Sequence, residues 1–306
     1  MRIAVMAAGA VGGYFGARLA AAGHDVVFFA RGAHLAAIRE QGLKIESPRG
    51  DLHLKDINVT DTSAGLAPVD VVLFAVKLWD SEKAAETLKP LIGPDTRVIS
   101  GQNGIDTVEM IEPIIGQGKV VPGLAQINAT IARPGVIVHS SQYHLMAFGH
   151  PDKRPDPKLS ALVDSGKTAG VDFVLSQTIE RDLWLKFVIL VAISSVTAST
   201  RQPIGVSRND PDGKKLIQTI MQEVVAVGRA RGVALDADLA DKAMGFLNAV
   251  PDGAKASMAY DLDRGNRLEL DWLAGRVAAL GRELNVPTPA CETIYAILKP
   301  YRMGKQ

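Results

Sequence analysis

The first 32 residues, MRIAVMAAGAVGGYFGARLAAAGHDVVFFARG, constrain this chain more than any other stretch. Arg2 to Met6 is a short apolar run that suits a buried parallel strand. Ala7, Ala8, Gly9, Ala10, Val11 and Gly12 follow, then Gly13. Val11, Phe15, Leu19 and Ala22 repeat at helical spacing, and Gly23 stops that helix. Val26 to Phe29 is a second buried strand. A helix that starts from a tight glycine turn leaves backbone N–H groups free, and these groups and the helix dipole favour a phosphate. Strand, turn, helix and strand in this order form the dinucleotide-binding fingerprint in its proper context.

In G-x-G-x-x-G register, Ala7 takes the first position, Gly9 the second and Gly12 the third. Alanine is tolerable at the first position if its φ is negative. The second strand runs into Ala30-Arg31-Gly32, where NAD-binding versions place an acid for the ribose 2′-hydroxyl. An arginine there suits a 2′-phosphate, so NADP(H) is expected over NAD; a solvated surface arginine is the plainer reading.

Composition narrows the rest. The 306 residues allow two domains, and 47% hydrophobic content supplies a sizeable core. A formal net charge of +1 points to no nucleic acid and no membrane surface as partner. One cysteine, Cys291, allows no intrachain disulfide, and it reads as a buried thiol. The histidines show no zinc-ligand spacing, so no metal is expected. No signal peptide is visible, and the apolar run Val188 to Val196 is too short to span a bilayer, so a cytoplasmic protein is expected.

After Arg31, a helix near 33–41 precedes a hairpin of Leu43–Glu46 and Leu52–Asn58. Val69 to Val76 is a strong buried strand ending at Lys77, followed by a helix over 81–92. Arg97 to Ser100 is another, ending in Gly101-Gln102-Asn103-Gly104. Further strands are expected at 120–127, 136–140, 144–148 and 171–175, with a helix near 157–169. From about residue 178 strand signals vanish. Helices are expected at 180–198, 214–231, 237–249, 254–262 and 269–284, with a last one after Pro289. The expected fold is therefore α/β: an N-terminal Rossmann-type doubly wound sheet over residues 1–177, then an all-helical domain over 178–306.

Lys186 sits in the apolar stretch LWLKFVILVAISSV. A lysine there either snorkels to water or meets anionic partners. Glu269 opens a helix, where an acid ordinarily answers the dipole. Ser257 lies one helix earlier and on its own reads as a surface or capping serine.

The order of these landmarks resembles the ketopantoate reductase (2-dehydropantoate 2-reductase) family along essentially the whole chain. The resemblance rests on the glycine turn, Arg31, Lys77, Gln102-Asn103-Gly104, Trp184-Leu185-Lys186, and Ser257 with Glu269 twelve residues later. It implies NADPH-dependent reduction of a 2-oxo acid to a 2-hydroxy acid, the step that makes pantoate for pantothenate biosynthesis. It makes Lys186 the general acid, and Glu269 both the orienter of that lysine and an anchor for a substrate hydroxyl. Ser257 would hold the substrate carboxylate. Asn103 would bridge cofactor and substrate, and Lys77 would touch one of them. Where the family carries asparagines four and eight residues after the lysine, this chain has Leu190 and Ser194. Those positions share the lysine's helical face. A different, more apolar oxo acid is therefore a second reading, and a non-catalytic NADPH-binding protein a third. The apolar helices of the second half suit a homodimer or a core equally.

Overall fold

The computed structural model describes residues 1–305. The N-terminal run becomes β1 (Arg2–Met6), and hydrogen bonding on both of its edges makes it central. β2 (Asp25–Phe29) lies on one side and β6 (Val69–Phe74) on the other, both parallel to it. With β5 (Asn58–Thr60), β7 (Ile92–Ser100) and β8 (Val120–Val121) they form a six-stranded parallel sheet in the order β5-β2-β1-β6-β7-β8. Successive side chains of a strand face opposite ways. Accordingly Ile3 and Val5 enter one apolar core while Ala4 and Met6 enter another. Both faces of the sheet are thus buried, which explains the unbroken apolar runs.

One face packs on α1 (Ala10–Ala21) and a second sheet. That sheet joins β3 (Leu43–Glu46), β4 (Leu52–Leu54), β9 (Gly123–Arg133), β10 (Val136–Phe148) and β11 (Asp172–Leu175), with α5 (Pro157–Ala169) beside it. The other face packs on α3 (Ser81–Leu88) and α4 (Thr107–Ile115). Helix α2 (Gly32–Gln41) follows β2. Close packing of α1 depends on glycine at two positions. A Cβ on Gly13 would lie 2.4 Å from Ile137 Cδ1, and one on Gly16 would lie 2.5 Å from Val5 Cγ2.

Several expectations change. The run 52–58 is not one hairpin strand: Leu52–Leu54 pairs antiparallel with β3, whereas Asn58–Thr60 joins the other sheet parallel to β2. The runs 136–140 and 144–148 are one strand, with a register shift between His139 and His144. Helix α4 was not expected, because Pro113 and Gly116 mask its period. The charged, proline-rich segment 150–158 is not among these changes: it is expected before the boundary near residue 177 and not as a linker. There Arg97 Nε donates to Asp156 Oδ2 at 2.5 Å, and His150 Nε2 lies 3.1 Å from the same oxygen.

By compactness the chain divides into Met1–Ile179 and Glu180–Gln306. The second unit is helical: α6 (Ile179–Thr200), α7 (Ile204–Arg208), α8 (Pro211–Ala230), α9 (Leu239–Asn248), α10 (Ser257–Arg264), α11 (Ala274–Leu284) and α12 (Pro289–Leu298). Helix α7 was not expected either. The expected helix 269–284 breaks into a single 3-10 turn, Leu270–Trp272, and α11. Trp184 is a packing residue, edge-on to Phe187 at 5.7 Å and against Gly228, whose absent Cβ leaves room for the indole. Buried Glu223 accepts the N–H groups of Ala290 and Cys291 at 2.8 and 2.9 Å, closing the start of α12. Burial, with Glu223 beside it, pushes the Cys291 thiol up and keeps it inert. At 22 residues α6 is long and apolar enough to cross a membrane, its most apolar 18-residue stretch having a mean hydropathy of 1.7, although the run 188–196 alone is too short. More than half of its most apolar stretch is buried inside the protein, as in the core helix of a globular fold.

Candidate active site

In the first unit the ends of β2, β1, β6 and β7 lie side by side at the carboxyl edge of one parallel sheet. That order brings Arg31, the glycine turn, Lys77 and Asn103 to the same edge. Ligands bind there in open α/β sheets.

The turn is held by its own backbone and by one histidine. Ala8 donates its N–H to Phe29 O at 2.7 Å. Gly135 donates its N–H to His34 Nδ1 at 3.0 Å, so the His34 proton sits on Nε2, which donates to Ala8 O at 2.9 Å. Burial lowers the His34 pKa and favours this neutral form. Helix α1 then starts after Gly9 with no side-chain cap and no acid in its first turn. Its first i to i−4 bond is Gly13 N–H to Gly9 O, at 2.7 Å. The N–H groups of Ala10, Val11 and Gly12 therefore precede the helical ladder and are available to an anion.

The two fingerprint glycines differ in what they are for. A Cβ on Gly12 would stand 2.2 Å from Ala7 O, so the turn itself demands glycine. A Cβ on Gly9 would meet nothing within 4 Å. No packing of this chain requires glycine at position 9, and the space left above it suits a pyrophosphate. Among the described residues the non-glycine positions with positive φ are Lys153, Arg201 and Asn285, so Ala7 takes the first position without left-handed strain.

Arg31 precedes α2 with an exposed guanidinium, and its Nη2 donates to Asp80 Oδ2 at 2.6 Å. Asp80 ends the 3-10 turn Leu78–Asp80, directly after Lys77. The Lys77 ammonium lies 5.6 Å over the Trp79 ring. Gln102 ties the neighbouring loops together: its Nε2 donates to Val76 O and to Ser81 Oγ, both at 2.8 Å, while Thr107 Oγ1 donates to its Oε1 at 2.9 Å. This fixes the stretch that carries half-buried Asn103.

In the second unit Lys186 lies two turns into α6. It is half-buried by exposed area, yet lost hydration is the strongest influence on its ammonium. Desolvation pushes its pKa down to about 8, against the opposing pull of the Glu269 carboxylate. Glu269 is 5% exposed and immediately precedes the 3-10 turn. Leu190 is half-buried. Ser194 is wholly buried, and its hydroxyl has no hydrogen-bond partner among the described residues; the same holds for neighbouring Ser195. Ser257 is the exposed first residue of α10.

Sequence reasoning missed His34 and Asp80. His34 falls in the first turn of the helix after the second strand, a position that can reach back to the glycine turn. Asp80 gave less warning, since only folding brings it to Arg31. The missed packing glycines, Gly13 and Gly16, were visible as one helical face.

Comparison with known proteins gives a consistent answer. The family described as ketopantoate reductase PanE/ApbA matches residues 3–153, and its C-terminal counterpart matches residues 178–302. An uncharacterized oxidoreductase, YkpB of Bacillus subtilis, is 28% identical over 305 residues, covering 100% of both chains. A 2-dehydropantoate 2-reductase of Mesorhizobium japonicum is 27% identical, covering 98% of this chain and 97% of its own. Among solved structures, a PanE/ApbA family ketopantoate reductase of Ralstonia eutropha superimposes with a TM-score of 0.90 at 30% identity, over 99% of this chain and 98% of that one. The fold also extends to a D-mandelate dehydrogenase solved with NADH and anilino(oxo)acetate, at a TM-score of 0.88 and 22% identity, over 99% of this chain and 98% of that one. Matched in both halves, the chain belongs to the ketopantoate reductase family of oxidoreductases.

Proposed function

We propose that this protein reduces a 2-oxo acid to a 2-hydroxy acid with NADPH, and that 2-dehydropantoate is the substrate, which places it in pantothenate biosynthesis. The observation that carries this reading is the Lys186 ammonium, which burial has brought to a pKa of about 8 while Glu269 pulls toward the charged form. A donor with a pKa near ambient pH is both protonated and willing to give up its proton.

In this reading Ala7, Ala8, Gly9, Ala10, Val11 and Gly12 hold the pyrophosphate, with the N–H groups at the start of α1 as donors. Arg31 takes the 2′-phosphate, and Lys77 and Asn103 approach the cofactor from the adjoining strand ends. A reduced nicotinamide held by these residues would supply the hydride that the carbonyl carbon needs. Lys186 gives its proton to the carbonyl oxygen as negative charge builds there, and hydride and proton together yield the hydroxyl. Glu269 keeps the amine charged until that moment and anchors a substrate hydroxyl. Asn103 and Ser257 hold the substrate, with Ser257 on its carboxylate.

Leu190 and Ser194 support a second reading, reduction of a more apolar oxo acid. Leucine has no hydrogen-bonding group, and losing one partner of a buried polar group costs about 1–3 kcal/mol. The test is to mix the purified protein with NADPH and a panel of 2-oxo acids, including 2-dehydropantoate and branched or aromatic analogues, and to follow nicotinamide absorbance. Fastest loss with 2-dehydropantoate supports the first reading, and preference for the apolar analogues the second. NADPH binding without oxidation on any acid would refute reduction altogether.

A further inference from the structure

The strand order places β2 and β6 on either side of β1, so Arg31 and Asp80 approach each other across the end of the strand that feeds the glycine turn. Their 2.6 Å contact joins a guanidinium that is 78% exposed to a carboxylate that is only 24% exposed. The acid is the fixed partner, and the arginine reaches over to it. Enzymes of this architecture that take NAD place an acid at the end of the second strand for the ribose 2′-hydroxyl, and those that take NADP place an arginine nearby. Here the arginine comes from the second strand and an acid arrives beside it from β6.

We propose that Asp80 sets the cofactor preference of this protein, narrowing the advantage of NADPH and admitting NADH. This rests on the reading of the glycine turn as a nicotinamide dinucleotide site. Two effects act in the same direction. A 2′-phosphate carries about −1.5 to −2 charges at neutral pH. To bind Arg31 it must compete with a carboxylate already there and tolerate that carboxylate's charge. A ribose 2′-hydroxyl is neutral and can donate to the carboxylate, which has two acceptor oxygens, while Arg31 stays paired. The same pair therefore hinders one cofactor and receives the other.

The test is a set of fluorescence titrations of NADPH and NADH with the full-length protein, its Asp80→Asn and Asp80→Ser variants, and Arg31→Ala. Asp80→Asn is expected to tighten NADPH about five-fold and to weaken NADH by about as much. Asp80→Ser should move the ratio the same way, which guards against an effect peculiar to one side chain. Arg31→Ala should weaken NADPH by about ten-fold and NADH far less. A NADPH-to-NADH ratio that stays within about twofold of wild type in both Asp80 variants would overturn the proposal. So would equal loss of both cofactors in Arg31→Ala. If wild type binds neither cofactor, the proposed function itself fails; if it binds both and the ratio does not respond, only the role of Asp80 fails.

Discussion

The glycine turn of the first unit and the lysine helix of the second are built on opposite physical terms. Around the turn the groups offered to an anion are main-chain N–H donors, which the helix must leave unpaired in any case. Their cost to the fold is small, because a helix start is where such groups normally lie. Lys186 is a charged side chain brought out of water, and its pKa of about 8 shows that the fold disfavours its charged form. A backbone anion site is thus compatible with stability, whereas a desolvated ammonium is held against it. The unfolded lysine keeps its proton up to its ordinary pKa of 10.5, so as pH climbs from about 8 to that value the folded state gains stability relative to the unfolded one.

Lys186→Met should separate the two kinds of site most sharply. Turnover is expected to fall by about a thousand-fold, while NADPH affinity stays within about twofold. Stability at neutral pH should change by no more than about 1–2 kcal/mol, because the gain from losing the desolvated charge is offset by a buried Glu269 carboxylate left without its counter-charge. Steady-state kinetics, cofactor titration and thermal melting read these together. Equal loss of turnover and affinity would remove Lys186 from proton transfer.

The glycine pair tests the other side. Gly12→Ala forces a Cβ against Ala7 O, and overpacking of that sort costs about 1–3 kcal/mol, so melting temperature and NADPH binding should both drop. Gly9→Ala has room for its methyl group, so the melting temperature should hold while NADPH binding weakens about ten-fold, or about 1.4 kcal/mol. If Gly9→Ala destabilises as much as Gly12→Ala, the space above Gly9 is not reserved for a ligand.

The smallest effect expected is on the pH profile. Reductive turnover should be level below about pH 8 and fall above it as Lys186 loses its proton. Because the Glu269 carboxylate raises that pKa, Glu269→Gln should move the falling limb to lower pH. An unmoved limb would mean that Glu269 does not orient or charge the lysine.

Much of the first unit was legible because its determinants are local. The strand β1, the glycine turn and α1 lie within 21 consecutive residues, and their periodicity survives any packing. Strand length and partner were less legible. The run 52–58 was split between two sheets, and no local signal says that Asn58 should turn to β2 while Leu52 stays with β3. Lys186 stood out as the one charge in an apolar stretch, but its pairing with Glu269 spans more than 80 residues of chain.

The sequence by itself determined the doubly wound sheet, the helical second half and the chemistry at single positions, because side-chain period, glycine spacing and charge are properties of neighbouring residues. Tertiary structure decided which groups act on one another. It placed His34 under Ala8 O, brought Asp80 to Arg31, and buried Lys186 far enough to lower its pKa. Such effects depend on distance and on exclusion of water, and only the folded chain sets those.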